Sequence, residues 1–169
     1  MSGTSTIHEF LREARVPYTV VPHQPAFATQ AEAAMAHLPG RDWAKVVVCV
    51  VDEEPIEAIV PGSLKVDFNR LLELTGGTAI RLAQEDELRR FFPGREASAM
   101  PPVGPPYGHD VFVDVCLAAE REIVFSAGAH VDAIAMRWTD FARTVRPIVG
   151  RFSTLATDRV PAYRLSYRE

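Results

Sequence analysis

With 169 residues, the chain is long enough for one domain with a substantial core and too short for two ordinary ones. Hydrophobic residues make up 47% and charged residues 24%, an ordinary globular composition that excludes a disordered or fibrous chain. A formal charge of −4 argues against nonspecific coating of nucleic acid and leaves room for recognition through a local cationic patch.

The opening "MSGTSTIHEF" has no basic stretch followed by an apolar signal core. No apolar run reaches the ~20 residues that span a bilayer, so a soluble, cytoplasmic protein is expected. Ile7, Phe10, Leu11 and Ala14 fall at helical spacing after Thr6, which predicts an amphipathic helix ending near Arg15. "VPYTVVPH" reads as a short strand broken at Pro22. Thr29-Gln30-Ala31-Glu32 has the capping-box pattern and opens an alanine-rich helix that stops at Pro39-Gly40.

Ala44 to Val51, "AKVVVCVV", reads as a central strand, and "IEAIVPG" as its neighbour across a turn at Asp52 to Pro55. Helices follow from about Asp67 to Thr75, stopped by Gly76-Gly77, and from about Gln84 to Phe92, stopped by Pro93-Gly94. "ASAMPPVGPPYG", with four prolines and two glycines in twelve residues, is a constrained loop. "DVFVDV", "EIVFSAG" and "VDAIAMRW" read as strands. Thr139 is expected to cap a helix with Phe141, Ala142 and Val145 on one face, closing before Pro147. Periodicity fades from about Thr154, giving one domain over residues 1–153 and a tail at 154–169, with no internal repeat.

The five histidines, His8, His23, His37, His109 and His130, lack the close spacing of a helical metal site, and Cys49 and Cys116 form no Cys-x-x-Cys pair. No metal is expected. Both cysteines lie in strand-like apolar contexts, so buried, reduced thiols are favoured over a disulfide. A nucleophilic Cys116 with a distant histidine stays open, although a small thiol alternating with Val115 and Leu117 packs well at a strand end. Neither a Gly-x-x-x-x-Gly-Lys phosphate loop nor a dinucleotide fingerprint occurs, and no cofactor is implied.

Three features carry more chemistry. The small-residue turn Ser126-Ala127-Gly128-Ala129-His130 lets a ligand approach the backbone. The proline loop fixes φ and can present its remaining N–H groups rigidly, as an oxyanion site requires. Lys45 begins a β-branched run although an ammonium is costly to desolvate, so it lies either at a frayed edge or in a site. The chain has sixteen arginines and only two lysines, Lys45 and Lys65.

In their order and spacing, "VPYTVVPHQPAFATQAEAA", "AKVVV", "DFNRLLELTGGTAIRLA", "AMPPVG", "VFVD" and "SAGAHVDAIAMRWTDF" resemble the YbaK/prolyl-tRNA synthetase-associated family of aminoacyl-tRNA editing domains. The similarity runs from about Val16 to Phe152. It implies an α/β fold with a mixed, curved, partly open barrel-like β-sheet flanked by helices. It also implies a free-standing trans-editing hydrolase that cleaves the ester joining a wrong amino acid to the terminal ribose of a tRNA.

The family lysine matches Lys45, its "AG" turn matches Ala127-Gly128, and its Gly-x-x-x-Pro loop matches Ser98 to Pro102, with Ser98 in place of the usual glycine. On these matches the candidate catalytic residues are Lys45, Gly128 and Ala129. The candidate substrate contacts are Phe27, which packing in the core would equally explain, Thr29, Ser98, Ala99, Met100, Pro101, Pro102, Gly104 and His130. The implied partners are the tRNA acceptor end and an aminoacyl-tRNA synthetase, with neither membrane nor DNA. Two rival readings are a non-catalytic acceptor-end or synthetase-binding module of the same fold, and a hydrolase of small esters.

Overall fold

The β-branched run from Ala44 lies at the centre of a mixed sheet in the computed structural model, which describes residues 7–22, 43–93, 102, 108–127 and 132–155. The elements in chain order are α1 (Ile7–Glu13), β1 (Thr19–Pro22), β2 (Trp43–Val51), β3 (Glu54–Pro61), β4 (Leu64–Val66), α2 (Phe68–Thr75), β5 (Ile80–Leu82), α3 (Glu85–Phe91), β6 (Asp110–Asp114), α4 (Val115–Ala118), β7 (Glu122–Ser126), β8 (Asp132–Arg137), α5 (Trp138–Val145), β9 (Ile148–Gly150) and β10 (Ser153–Leu155). The sheet runs β1-β8-β7-β2-β3-β6-β9, with β5 added on β2, while β4 and β10 form a separate two-stranded ribbon. Pairs β2/β7, β3/β6 and β6/β9 are parallel, and the others are antiparallel. Among the described residues the end strands β1 and β9 do not pair with each other, so the curved sheet stays open, as the resemblance implied.

Both faces of β2 are covered, which is why its sequence is nearly all apolar. Cys49 and Val51 pack with Ile56, Ala58, Leu71, Phe112 and Phe152 on one face. On the other, Ala44 joins Ile59, Val113 and Phe125, which α1 covers through Ile7 and Leu11 and α5 through Phe141 and Val145. No described helix is long and apolar enough to cross a membrane.

The β2–β3 connection is a two-residue hairpin, since Val51 pairs with Glu54. Asp52 and Glu53 both adopt positive φ, 47° and 72°, as a turn matched to strand twist requires. The Asp52 carboxylate accepts from Thr78 N at 2.9 Å, Thr78 Oγ1 at 2.6 Å and Ala79 N at 3.0 Å, tying the turn to β5. Arg81 on β5 then grips Glu87 on α3 with two bonds of 2.6 and 2.9 Å. Those bonds, with donation from Gln84 N, hold the Glu87 carboxyl down at about 2.

The two predicted central helices hold as read. Asp67 caps α2 by accepting from Arg70 N, and Gly76 ends it at φ 72°. Two details differ. The N-cap position of α5 is Arg137, not Thr139, because β8 runs straight into the helix and leaves Thr139 in its first turn. Cys116 is exposed, not buried: Asp114 ends β6 and caps α4 by accepting from Cys116 N at 2.9 Å, so the residue leaves the strand. The helix predicted from Thr29 lies outside the described residues, as do residues 156–169; Thr154 and Leu155 pair with β4.

Candidate functional site

One edge of β2 is paired with β3 from Ala44 to Val51. The other is divided. Trp43 and Ala44 pair with Val124 and Phe125 of β7, and Cys49 to Val51 pair with β5. The Val48 carbonyl accepts from Ala83 N at 3.0 Å. No described strand pairs with Lys45, Val46 and Val47 on this edge, and these three are the half-buried residues of an otherwise buried strand. Two neighbouring strands of opposite direction have diverged there, leaving a gap.

The stems of both sequence-predicted loops converge on this gap. Continuing the β2/β7 register by one residue sets Ser126, the last residue of β7, level with Lys45. Ala127 then donates to the Asp132 carbonyl at 3.1 Å across the turn and packs on the same cluster as Val46. The "AG" turn therefore leaves the sheet beside the gap. The proline loop is anchored through Phe92, buried against Val48, and through His109, whose ring meets that of Phe92 edge-on at 5.0 Å. His109 Nε2 also lies 3.5 Å from the Phe91 carbonyl oxygen.

Lys45 projects from the face opposite Val46, and its Nζ donates to the Leu64 carbonyl oxygen at 2.7 Å. Leu64 is brought there by the Gly62-Ser63 turn between β3 and β4, with Gly62 N donating to the Trp43 carbonyl at 2.7 Å. Burial lowers the Lys45 pKa, and the nearby Lys65 charge lowers it further. An ammonium has three donors, and among the described residues Leu64 takes one of them.

Of the other predicted site residues, Pro102 is described and buried. Phe27, Thr29, Ser98, Ala99, Met100, Pro101, Gly104, Gly128, Ala129 and His130 lie outside the described residues. Leu64 was not foreseen, and no residue signal could have marked it, since only its main-chain carbonyl is used. Ser126 could have been found from its place as the first residue of the small-residue turn.

Neither thiol is poised as a nucleophile. Burial pushes Cys49 up to about 12, and Cys116 is raised by its hydrogen bond to the Asp114 carboxylate and by burial. Among the described residues no cluster of three or more His, Cys, Asp and Glu side chains could hold a metal ion.

A sequence model of the aminoacyl-tRNA editing domain matches residues 23–144, which spans the gap, both loops and most of α5. The chain belongs to the aminoacyl-tRNA editing domain family. This editing domain is 31% identical over 114 residues to a proline–tRNA ligase of Anaeromyxobacter sp. (strain K), covering 68% of the chain and 19% of the ligase. The chain thus spans about a fifth of that curated relative. Its fold is shared with the hypothetical protein APE2540, at a TM-score of 0.79 and 17% identity over 88% of this chain and 99% of that one. It is shared too with a candidate trans-editing enzyme for prolyl tRNA synthetase, at a TM-score of 0.73 and 19% identity over 81% and 87% of the two chains.

Proposed function

We propose that this editing domain is a trans-acting deacylase of the cytoplasm that hydrolyses the ester between a wrong amino acid and the terminal ribose of a tRNA. The observation that carries this reading is Lys45, whose ammonium meets the Leu64 carbonyl at a stretch of the central strand that no described strand pairs on one edge, with the stems of two loops packed on the opposite face of the same stretch. The family membership supports the substrate class, and the ligase relative supports a partnership with a synthetase.

An aminoacyl ester is already activated, so its hydrolysis needs a placed water, donors for the developing oxyanion and a substrate held still. In this reading, backbone N–H groups of the Ala99 to Gly104 loop and of Gly128 and Ala129 receive the carbonyl oxygen. Phe27, Thr29, Ser98 and His130 line the substrate, and Met100, Pro101 and Pro102 shape the loop that holds it. The Lys45 ammonium holds the phosphate or ribose of the terminal nucleotide, and an anion there keeps it protonated against the effect of burial. No side chain forms a covalent intermediate, in keeping with the raised pKa of both thiols. The substrate's own vicinal hydroxyl assists the water.

The test is a deacylation screen of the purified chain against alanyl, seryl and cysteinyl esters of several tRNAs, without any synthetase present. Release of at least one amino acid at a rate above spontaneous hydrolysis supports the reading. Tight binding of every ester without turnover supports a non-catalytic acceptor-end module instead.

A further inference from the structure

Lysine occupies two of the chain's eighteen basic positions, and the fold brings those two together. Lys45 Nζ donates to the carbonyl oxygen of Leu64, and that carbonyl belongs to the peptide unit whose nitrogen is Lys65. The two side chains start from different strands, β2 and β4, so their proximity is set by the Gly62-Ser63 turn and not by sequence spacing.

The Lys65 charge is near enough to help lower the Lys45 pKa, and a carboxylate between the two would offset that repulsion. Among the described residues, neither lysine forms an ion pair with a carboxylate, whereas Arg70, on the helix that follows β4, pairs with Asp67 at 3.5 Å. Asp67, two residues from Lys65, is thus engaged by Arg70. Lys65 is exposed on β4, between the half-buried Leu64 and the buried Val66, so the strand's alternation turns its side chain outward. In a chain of net charge −4, such an unneutralised pair is a local feature that favours an anion against the overall field.

We propose that Lys65 is a second substrate-binding cation, which takes a phosphate of the tRNA acceptor strand one nucleotide inward from the position that Lys45 holds. This rests on the deacylase reading and deepens it, because it gives the single-stranded end a direction across the surface: acylated ribose in the β2 gap, preceding backbone over β4. A lysine suits such a contact as a compact point charge on a flexible stem that needs no bidentate geometry. Phosphate contacts of this kind release counterions, with a log–log salt slope of about −0.7 per contact on a single strand.

The experiment measures binding of the unacylated trinucleotide CCA to the full chain by fluorescence anisotropy, between about 50 and 200 mM salt. Lys65→Gln is expected to make the slope shallower by about 0.7 and Lys65→Arg to restore it, which a merely structural role for an exposed residue does not do. An unchanged slope in Lys65→Gln overturns the proposal, and so does failure of the wild-type chain to bind CCA at all. Wild-type deacylation is measured alongside. Turnover with no Lys65 effect sinks the second cation alone, and a Lys65 effect on binding without turnover sinks the deacylase reading alone.

Discussion

The carboxylate of Asp114 accepts from the backbone N–H of Phe152 at 2.8 Å, joining the end of β6 to the segment that leads into β10. The same oxygen takes Ser153 N at 2.9 Å, and the other takes Cys116 N at 2.9 Å, so one buried side chain satisfies three main-chain donors. The ribbon β4/β10, which carries Leu64 to Lys45, is held to the sheet through this carboxylate. Burial pushes its pKa up, and the donations from Cys116, Phe152 and Ser153 outweigh that and bring it below the ordinary value.

Asp114→Ala is therefore expected to cost about 3 kcal/mol, since it strands the buried Phe152 donor and leaves the partly buried Cys116 and Ser153 donors without their acceptor. Urea denaturation at neutral pH measures it. The folded pKa lies below the unfolded one, so the stabilisation is complete above the ordinary carboxylate pKa of 3.8 and is lost as pH falls beneath that toward the folded value. Asp114→Asn should lack this acid-dependent loss; the same acid profile in the variant and the wild type assigns the effect to other groups.

The hairpin turn places an ordinary side chain, Glu53, at φ 72°, where a residue with a Cβ is strained by about 1 kcal/mol. Glu53→Gly should relieve this and raise Tm by roughly 2–4 °C, provided that Asp52 and its three hydrogen bonds are kept. A fall in Tm would show that the entropy glycine adds to the unfolded chain exceeds the strain relieved.

Cys116 is exposed and Cys49 is buried, yet the Asp114 carboxylate keeps the exposed thiol protonated. Alkylation at neutral pH should be slow and confined to Cys116, as read by intact mass, and Cys116→Ala should deacylate like the wild type. Loss of turnover in a folded Cys116→Ala protein would restore the thiol-hydrolase mechanism.

The long elements were legible in the sequence because their signals are local. The β-branched run of β2, the Asp67 cap and Gly76 stop of α2, and the alternation in "DVFVDV" each need only a few neighbouring residues. The three-residue strands β4, β5, β9 and β10 were not, since three residues are too few to show a period of two and their pairing is decided by partners far along the chain. Cys116 was misread for a related reason: Val115-Cys116-Leu117 alternates like a strand, but the Asp114 carboxylate supplies a helix cap that hydropathy does not record. At the site, the sequence singled out Lys45 by its type. The gap beside it is a property of β7 and β5 separating along one edge, which no residue of β2 encodes.

The central claim is that Lys45 holds the substrate in the gap of β2. It is tested most directly by the initial rate at which Lys45→Ala and the wild type release amino acid from the mischarged tRNA that the wild type turns over best, with circular dichroism confirming that both are folded. We expect the variant's rate to fall to the spontaneous background, a loss of at least about a hundredfold, or roughly 2.7 kcal/mol of transition-state stabilisation. A folded Lys45→Ala protein that deacylates at the wild-type rate contradicts the account.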